Sequence, residues 1–294
     1  MFAYFLAFLV LLLPLASCGK QEKPRESKPL VLVSVPPYTY FVDRIAGGAV
    51  DVESLIPAGV NPHIYEATPR EVQRHQAAAL WIYLGEAFDK KTLEFFKKSR
   101  KPIEIFPVTQ GIHLLSFCEE EGRTCPHHAH EEGKDLHIWL SPRLAKKQAE
   151  GIAIALGELL PAQKQQFNAN LKNFLQELDE LDKEISTLLA PMQGKAILVS
   201  HPAFGYFCKE YDLIQLSVEY EGKDPRPKHL EAILKQAINQ SMEVALALPQ
   251  YNNKGAQLIA EKLHVPIHLI DPYSENYFET LKKLAHTIAE PHAN

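Results

Sequence analysis

Between Pro161 and Pro191 the chain places apolar residues at Phe167, Leu171, Phe174, Leu178, Leu181, Ile185 and Leu188, three and four apart throughout. That spacing gathers one apolar stripe along a helix and leaves its other faces polar. A helix of roughly thirty residues rising ~1.5 Å per residue reaches ~45 Å, more than one small lobe needs. On either side of it, short β-branched apolar runs alternate with helical patterns. A helix of this length between two such alternations predicts two lobes with one rigid spine laid along both.

Ahead of the spine, strands are predicted over 30–35, 50–56, 78–84 and 103–106, and helices over 38–46 and 69–76. Thr68-Pro-Arg-Glu71 has the form of a capping box with proline at the first helical position. Ser141-Pro142 opens another helix, to about residue 160. After Gly194, strands are predicted over 196–200, 213–218, 244–248 and 266–270, and helices over 203–211, 228–239, 254–263 and 277–289. Strand and helix in turn imply mainly parallel sheets covered by helices, an α/β class. The expected organisation is an N-terminal lobe over 30–160, the linking helix over 161–191 and a C-terminal lobe over 192–294. One crevice lies between the lobes, and strand ends from both open into it.

Residues 2–15 are nearly all apolar, too few for the ~20 that span a membrane. They lead into Leu15-Ala-Ser-Cys18-Gly19, which resembles the bacterial lipobox. This predicts a lipoprotein signal peptide over 1–17, a lipidated Cys18 and a tether over 18–29. The tether is charged and proline-containing, with too little apolar surface to offset the entropy of ordering it. No Lys or Arg precedes the apolar run, a departure from the usual export signal. The expected location is the periplasm or the outer face of a bacterial membrane, held there by lipid.

A net charge of −5 without a basic block argues against nucleic acid as the partner. Cys118 and Cys125 bracket a short polar loop and form a candidate disulfide in an oxidising compartment, while Cys208 reads as a buried thiol.

Three of the thirteen histidines stand where an element starts or stops: His63 after Asn61-Pro62, His137 just before Ser141-Pro142, and His201 at the end of an apolar strand. Asp271 ends a later strand, and both His201 and Asp271 precede a proline. Strand ends of open α/β folds are where ligands bind. Three imidazoles suit Zn²⁺, which stands above Mn²⁺ and Fe²⁺ in affinity for nitrogen donors. Asp271 as fourth ligand would close the coordination shell, the mark of a site that binds without catalysing. The competing reading is a zinc hydrolase or lyase, in which water holds the fourth position.

The segments 59–70, 135–142, 201–205, 221–225 and 270–272, in that order, resemble the motifs of the ZnuA/TroA-like receptors, the metal-binding proteins of bacterial ABC importers. The resemblance covers nearly all of the chain after residue 30. It implies two Rossmann-like lobes joined by one long helix, a metal in the cleft, an ABC permease as partner, a monomer and no enzymatic activity. It also implies that His63, His137, His201 and Asp271 are the ligands. Histidine rather than glutamate at the third position points to zinc, with Mn²⁺ or Fe²⁺ as alternative cargo. His127, His128 and His130, in an acidic loop over 118–133, occupy the place where zinc receptors of this kind carry a His-rich loop, implying an auxiliary metal site.

Overall fold

The computed structural model describes residues 28–97, 102–116, 133–219 and 226–290. Cys18, Cys118, Cys125, His127, His128 and His130 lie outside the described residues, as does the resembling segment around Glu221. The first sheet holds β1 (Leu30–Val33), β2 (Asp51–Ser54), β3 (Leu80–Tyr83) and β4 (Glu104–Pro107), parallel in the order β2-β1-β3-β4. The second holds β5 (Ala196–Val199), β6 (Ile214–Ser217), β7 (Ala245–Ala247) and β8 (Ile267–Leu269), parallel in the order β6-β5-β7-β8. Each sheet therefore reverses direction beside its first strand, and open α/β sheets bind ligands beyond the strand ends at that reversal. All four residues of β5 are buried, which explains its unbroken apolar run.

The first lobe carries α1 (Pro37–Ala46), α2 (Pro69–His75) and α3 (Ala87–Phe96). The capping box of α2 forms as expected: Thr68 Oγ1 accepts from the Glu71 N–H, and Glu71 accepts from the Thr68 N–H at 2.8 Å. No helix was expected where α3 lies. Its start is closed by Asp89, which accepts from the N–H groups of Gly85 and Glu86 at 2.9 and 3.2 Å. An acidic residue on each side of the cap departs from the Ser/Thr-then-Glu/Gln signature that marks a helix start. Next comes α4 (Pro142–Leu159), capped by Ser141 Oγ, which accepts from the Leu144 N–H at 3.1 Å.

The spine is α5 (Lys164–Leu189), 26 residues of α-helix. At ~1.5 Å per residue it runs ~39 Å, and single 3-10 turns at Pro161–Gln163 and Ala190–Met192 account for the remaining length expected from the sequence. Phe167, Phe174, Leu178, Leu181 and Ile185 are all buried, together with Leu189. Phe174 packs edge-on against Phe41 of α1 (5.3 Å between centroids) and tilted against Phe278 (6.1 Å) of the C-terminal helix. Arg143 and Tyr211 both reach Asp182 at 3.0 Å, so α4 and the second lobe meet on one spine residue.

The second lobe adds α6 (Gly205–Glu210), α7 (Pro227–Asn239), α8 (Lys254–Leu263) and α9 (Tyr277–Ala289). α9 returns to the first lobe. Tyr277 sits 4.9 Å from Phe41, and its hydroxyl donates to Trp139 O at 2.6 Å. Trp139 Nε1–H donates in turn to Pro272 O at 2.8 Å. One apolar core thus runs from Val33 through Phe41, Trp139 and Phe174 to Phe207 and Leu281, and a smaller one lies under α7 and α8. Each large apolar side chain in it contributes roughly 1.5–3 kcal/mol by burial. Lobes sharing such a core do not swing apart as separate domains do.

Candidate metal centre

His201 follows β5 at the reversal point of the second sheet and is 3% exposed. Its Nδ1 lies 2.8 Å from Glu219 Oε2, and its face is stacked on Tyr251 at 3.9 Å and 10°. His137 caps the 3-10 turn Ile138–Leu140 and is 1% exposed. Asp135 Oδ1 accepts both its main-chain N–H (2.8 Å) and its ring Nδ1–H (2.7 Å). His63 lies in the 3-10 turn Pro62–Ile64, stiffened by the buried Pro62 and by Asn61 Oδ1, which accepts the His63 N–H at 2.9 Å. As a residue His63 is exposed, yet its ring turns inward.

The two carboxylates fix the chemistry of the rings they touch. A carboxylate that accepts from Nδ1–H leaves the lone pair of a neutral imidazole on Nε2. A ring nitrogen from each of His63, His137 and His201 lies within 4.8 Å of the others. His63 Nε2 and His201 Nε2 are 3.3 Å apart. Two nitrogens at ~2.05 Å from a tetrahedral ion are separated by ~3.3 Å, so this pair stands at the spacing Zn²⁺ requires. Burial lowers the pKa of His63 and of His137 to about 4, with His137 adding to the effect on His63 and Glu86 opposing it on His137. Burial and its two imidazole neighbours also lower that of His201. Neutral rings at neutral pH offer lone pairs to a cation without first losing a proton.

Residues 31–291 match the model of the family described as zinc-uptake complex component A, periplasmic. The chain belongs to this family. It is 32% identical over 262 residues to the high-affinity zinc uptake system protein ZnuA of Yersinia pestis, covering 82% of each chain. Its structure is similar to a crystal structure of ZnuA (31% identity, TM-score 0.82, covering 90% of this chain and 99% of that one). It is also similar to an internal-deletion form of ZnuA with zinc bound (31% identity, TM-score 0.81, covering 91% and 99%).

Within this zinc-uptake family member the fold brings three of the four expected ligands together. Asp271 stands outside the group of three. Its Oδ1 accepts from Gln250 Nε2 at 2.7 Å and from the Tyr273 N–H at 2.9 Å. Tyr273 Oη faces the site instead, 2.8 Å from His137 Nε2 and 3.2 Å from Tyr251 Oη. Glu86, just beyond β3, is near enough for its charge to act on His137, and burial raises its own pKa.

Asp135, Glu219, Glu86, Tyr251 and Tyr273 had no assigned role in the sequence. Asp135 had a local signal, a carboxylate two residues before a candidate histidine. Glu219 had none, because it lies 18 residues from His201 and meets it only through the pairing of β5 with β6.

Proposed function

We propose that this chain captures Zn²⁺ outside the cytoplasm in the cleft between its lobes and delivers it to an ABC permease for import. His63, His137 and His201 hold the ion through Nε2. The observation that carries this reading is the convergence of three imidazole nitrogens within 4.8 Å, with the buried Asp135 and the partly buried Glu219 as carboxylate partners on Nδ1 of His137 and His201. Such partners fix ring orientation and raise ligand basicity. An all-nitrogen triad favours zinc over Mn²⁺ and Fe²⁺, the alternative cargoes. Asp271 is the fourth ligand in this reading, brought in by movement of the segment that also carries Tyr273. The family is one of solute-binding receptors rather than enzymes.

Two further parts of the proposal rest on residues beyond those described. Cys18 carries the lipid that holds the receptor to the membrane, a reading supported by the Leu15-Ala-Ser-Cys18 motif. His127, His128 and His130 collect zinc at the cleft mouth. Supporting this, the bridge between Ser116 and Lys134 brings the two ends of their segment together, and the Asp135 N–H donates to Leu115 O at 2.9 Å, two residues from His137.

The test of transport is zinc accumulation in cells deprived of this chain and supplied with radioactive zinc. Uptake restored by the wild-type chain and not by His201→Ala supports delivery through this site. Equal restoration by both would refute it.

A further inference from the structure

Resting on the receptor reading above, the next inference concerns how the ion gains and leaves His137. The Nδ1–H of that ring is engaged by Asp135 at 2.7 Å, so Nε2 carries its only lone pair. Tyr273 Oη lies 2.8 Å from Nε2, and against a lone pair the phenol O–H is the donor. A metal ion needs the same lone pair. The hydroxyl and the ion therefore exclude each other on His137.

We propose that Tyr273 is a positioning residue that holds His137 Nε2 until the ion displaces it and retakes that nitrogen when the ion leaves. The surroundings are built for such an exchange. Tyr273 is 3% exposed, edge-on to His137 at 5.9 Å and tilted against Trp139 at 5.5 Å. Its hydroxyl has a second partner in reach, Tyr251 Oη at 3.2 Å. Turning from His137 to Tyr251 leaves no buried hydroxyl without a hydrogen bond, the state that would otherwise oppose displacement. The Tyr273 main-chain N–H donates to Asp271 Oδ1 at 2.9 Å, so the phenol and that carboxylate belong to one hydrogen-bonded segment.

The consequence is a threshold. Breaking the Tyr273–His137 bond opposes every cation by the same amount, so it leaves the preference between zinc and manganese unchanged and lowers both affinities. A weak binder then falls below occupancy while a strong one is still captured. The same bond, re-formed as the ion departs, assists hand-over to the permease.

The test is Tyr273→Phe, which removes one oxygen and keeps the ring packing. A buried hydrogen bond of this kind corresponds to about a three- to tenfold change in an equilibrium constant. The variant is expected to bind Zn²⁺ and Mn²⁺ about three- to tenfold more tightly, each by the same factor, and to lose zinc to excess chelator more slowly. In the metal-free protein, the ¹⁵N resonance of His137 Nε2 is expected to move toward that of an unbonded lone pair. Tyr251→Phe, which removes the receiving hydroxyl, is expected to bind zinc more weakly. Tyr273→Phe affinity equal to or below wild type, with the metal-free fold intact by thermal unfolding, overturns the inference and leaves the receptor reading standing. Absence of zinc binding by the wild-type protein overturns both. Should Tyr273→Phe fail to fold, unchanged affinity in Tyr251→Phe overturns the inference alone.

Discussion

Replacing Asp135 by asparagine keeps the shape of the side chain and removes its charge. In the structure its Oδ1 accepts two hydrogen bonds from His137, one from the main chain at 2.8 Å and one from the ring at 2.7 Å. A hydrogen bond to an ionised acceptor is about twice as strong as a neutral one, and the ring-side bond also polarises Nε2. Losing the partner that orients a metal-ligating histidine weakens affinity by about 10- to 100-fold, or about 1.4–2.8 kcal/mol. Asp135 is fully buried, so exchanging a charge for a neutral amide there carries a compensating relief of desolvation. The expected result is therefore a selective one. Competition against a chelator of known affinity should show zinc binding weakened by that factor, while the melting temperature of metal-free Asp135→Asn stays within a few degrees of wild type. Wild-type affinity in a folded Asp135→Asn protein would refute the argument that this carboxylate prepares His137.

Two other outcomes are expected. The pKa values of about 4 for His63 and His137, with His201 also lowered, mean that protons compete with the ion only near that pH. Zinc affinity should thus be nearly flat from pH 7.5 to about 5.5 and fall as pH approaches 4, whereas unshifted histidines would begin losing it near ~6.5. A chelator-competition series across pH checks this, and a decline centred near 6.5 would contradict it. Separately, a Cβ on Gly151 of α4 would stand 2.3 Å from Phe106 Cζ. Despite the better helix propensity of alanine, Gly151→Ala should destabilise the protein by about 1–3 kcal/mol in urea unfolding, with zinc affinity unchanged.

Periodic and locally punctuated features were legible in the sequence. The apolar stripe from Phe167 to Leu188 revealed the spine, and Thr68-Pro-Arg-Glu71 fixed a helix start. His63, His137 and His201 stood out because each marks an element boundary. Features made by tertiary contact were not legible. Glu219 reaches His201 only across paired strands, and Tyr251 and Tyr273 reach the histidines only because β7 and β8 lie side by side. Asp271 lies two residues beyond β8 rather than at its end, and a strand-end signal says nothing of where a carboxylate points; Gln250 and the Tyr273 main chain draw this one aside. α3 carries no Ser/Thr-then-Glu/Gln start signal, since Glu86 and Asp89 close its first turn instead.

The most direct test of the central claim is a calorimetric titration of the metal-free protein with Zn²⁺ and Mn²⁺, alongside His201→Ala. One tight zinc event per chain, stronger than that of manganese and abolished in His201→Ala, is the result expected from three converging imidazole nitrogens. No tight zinc event, or one undiminished without His201, would contradict the assignment of the cleft as the zinc site.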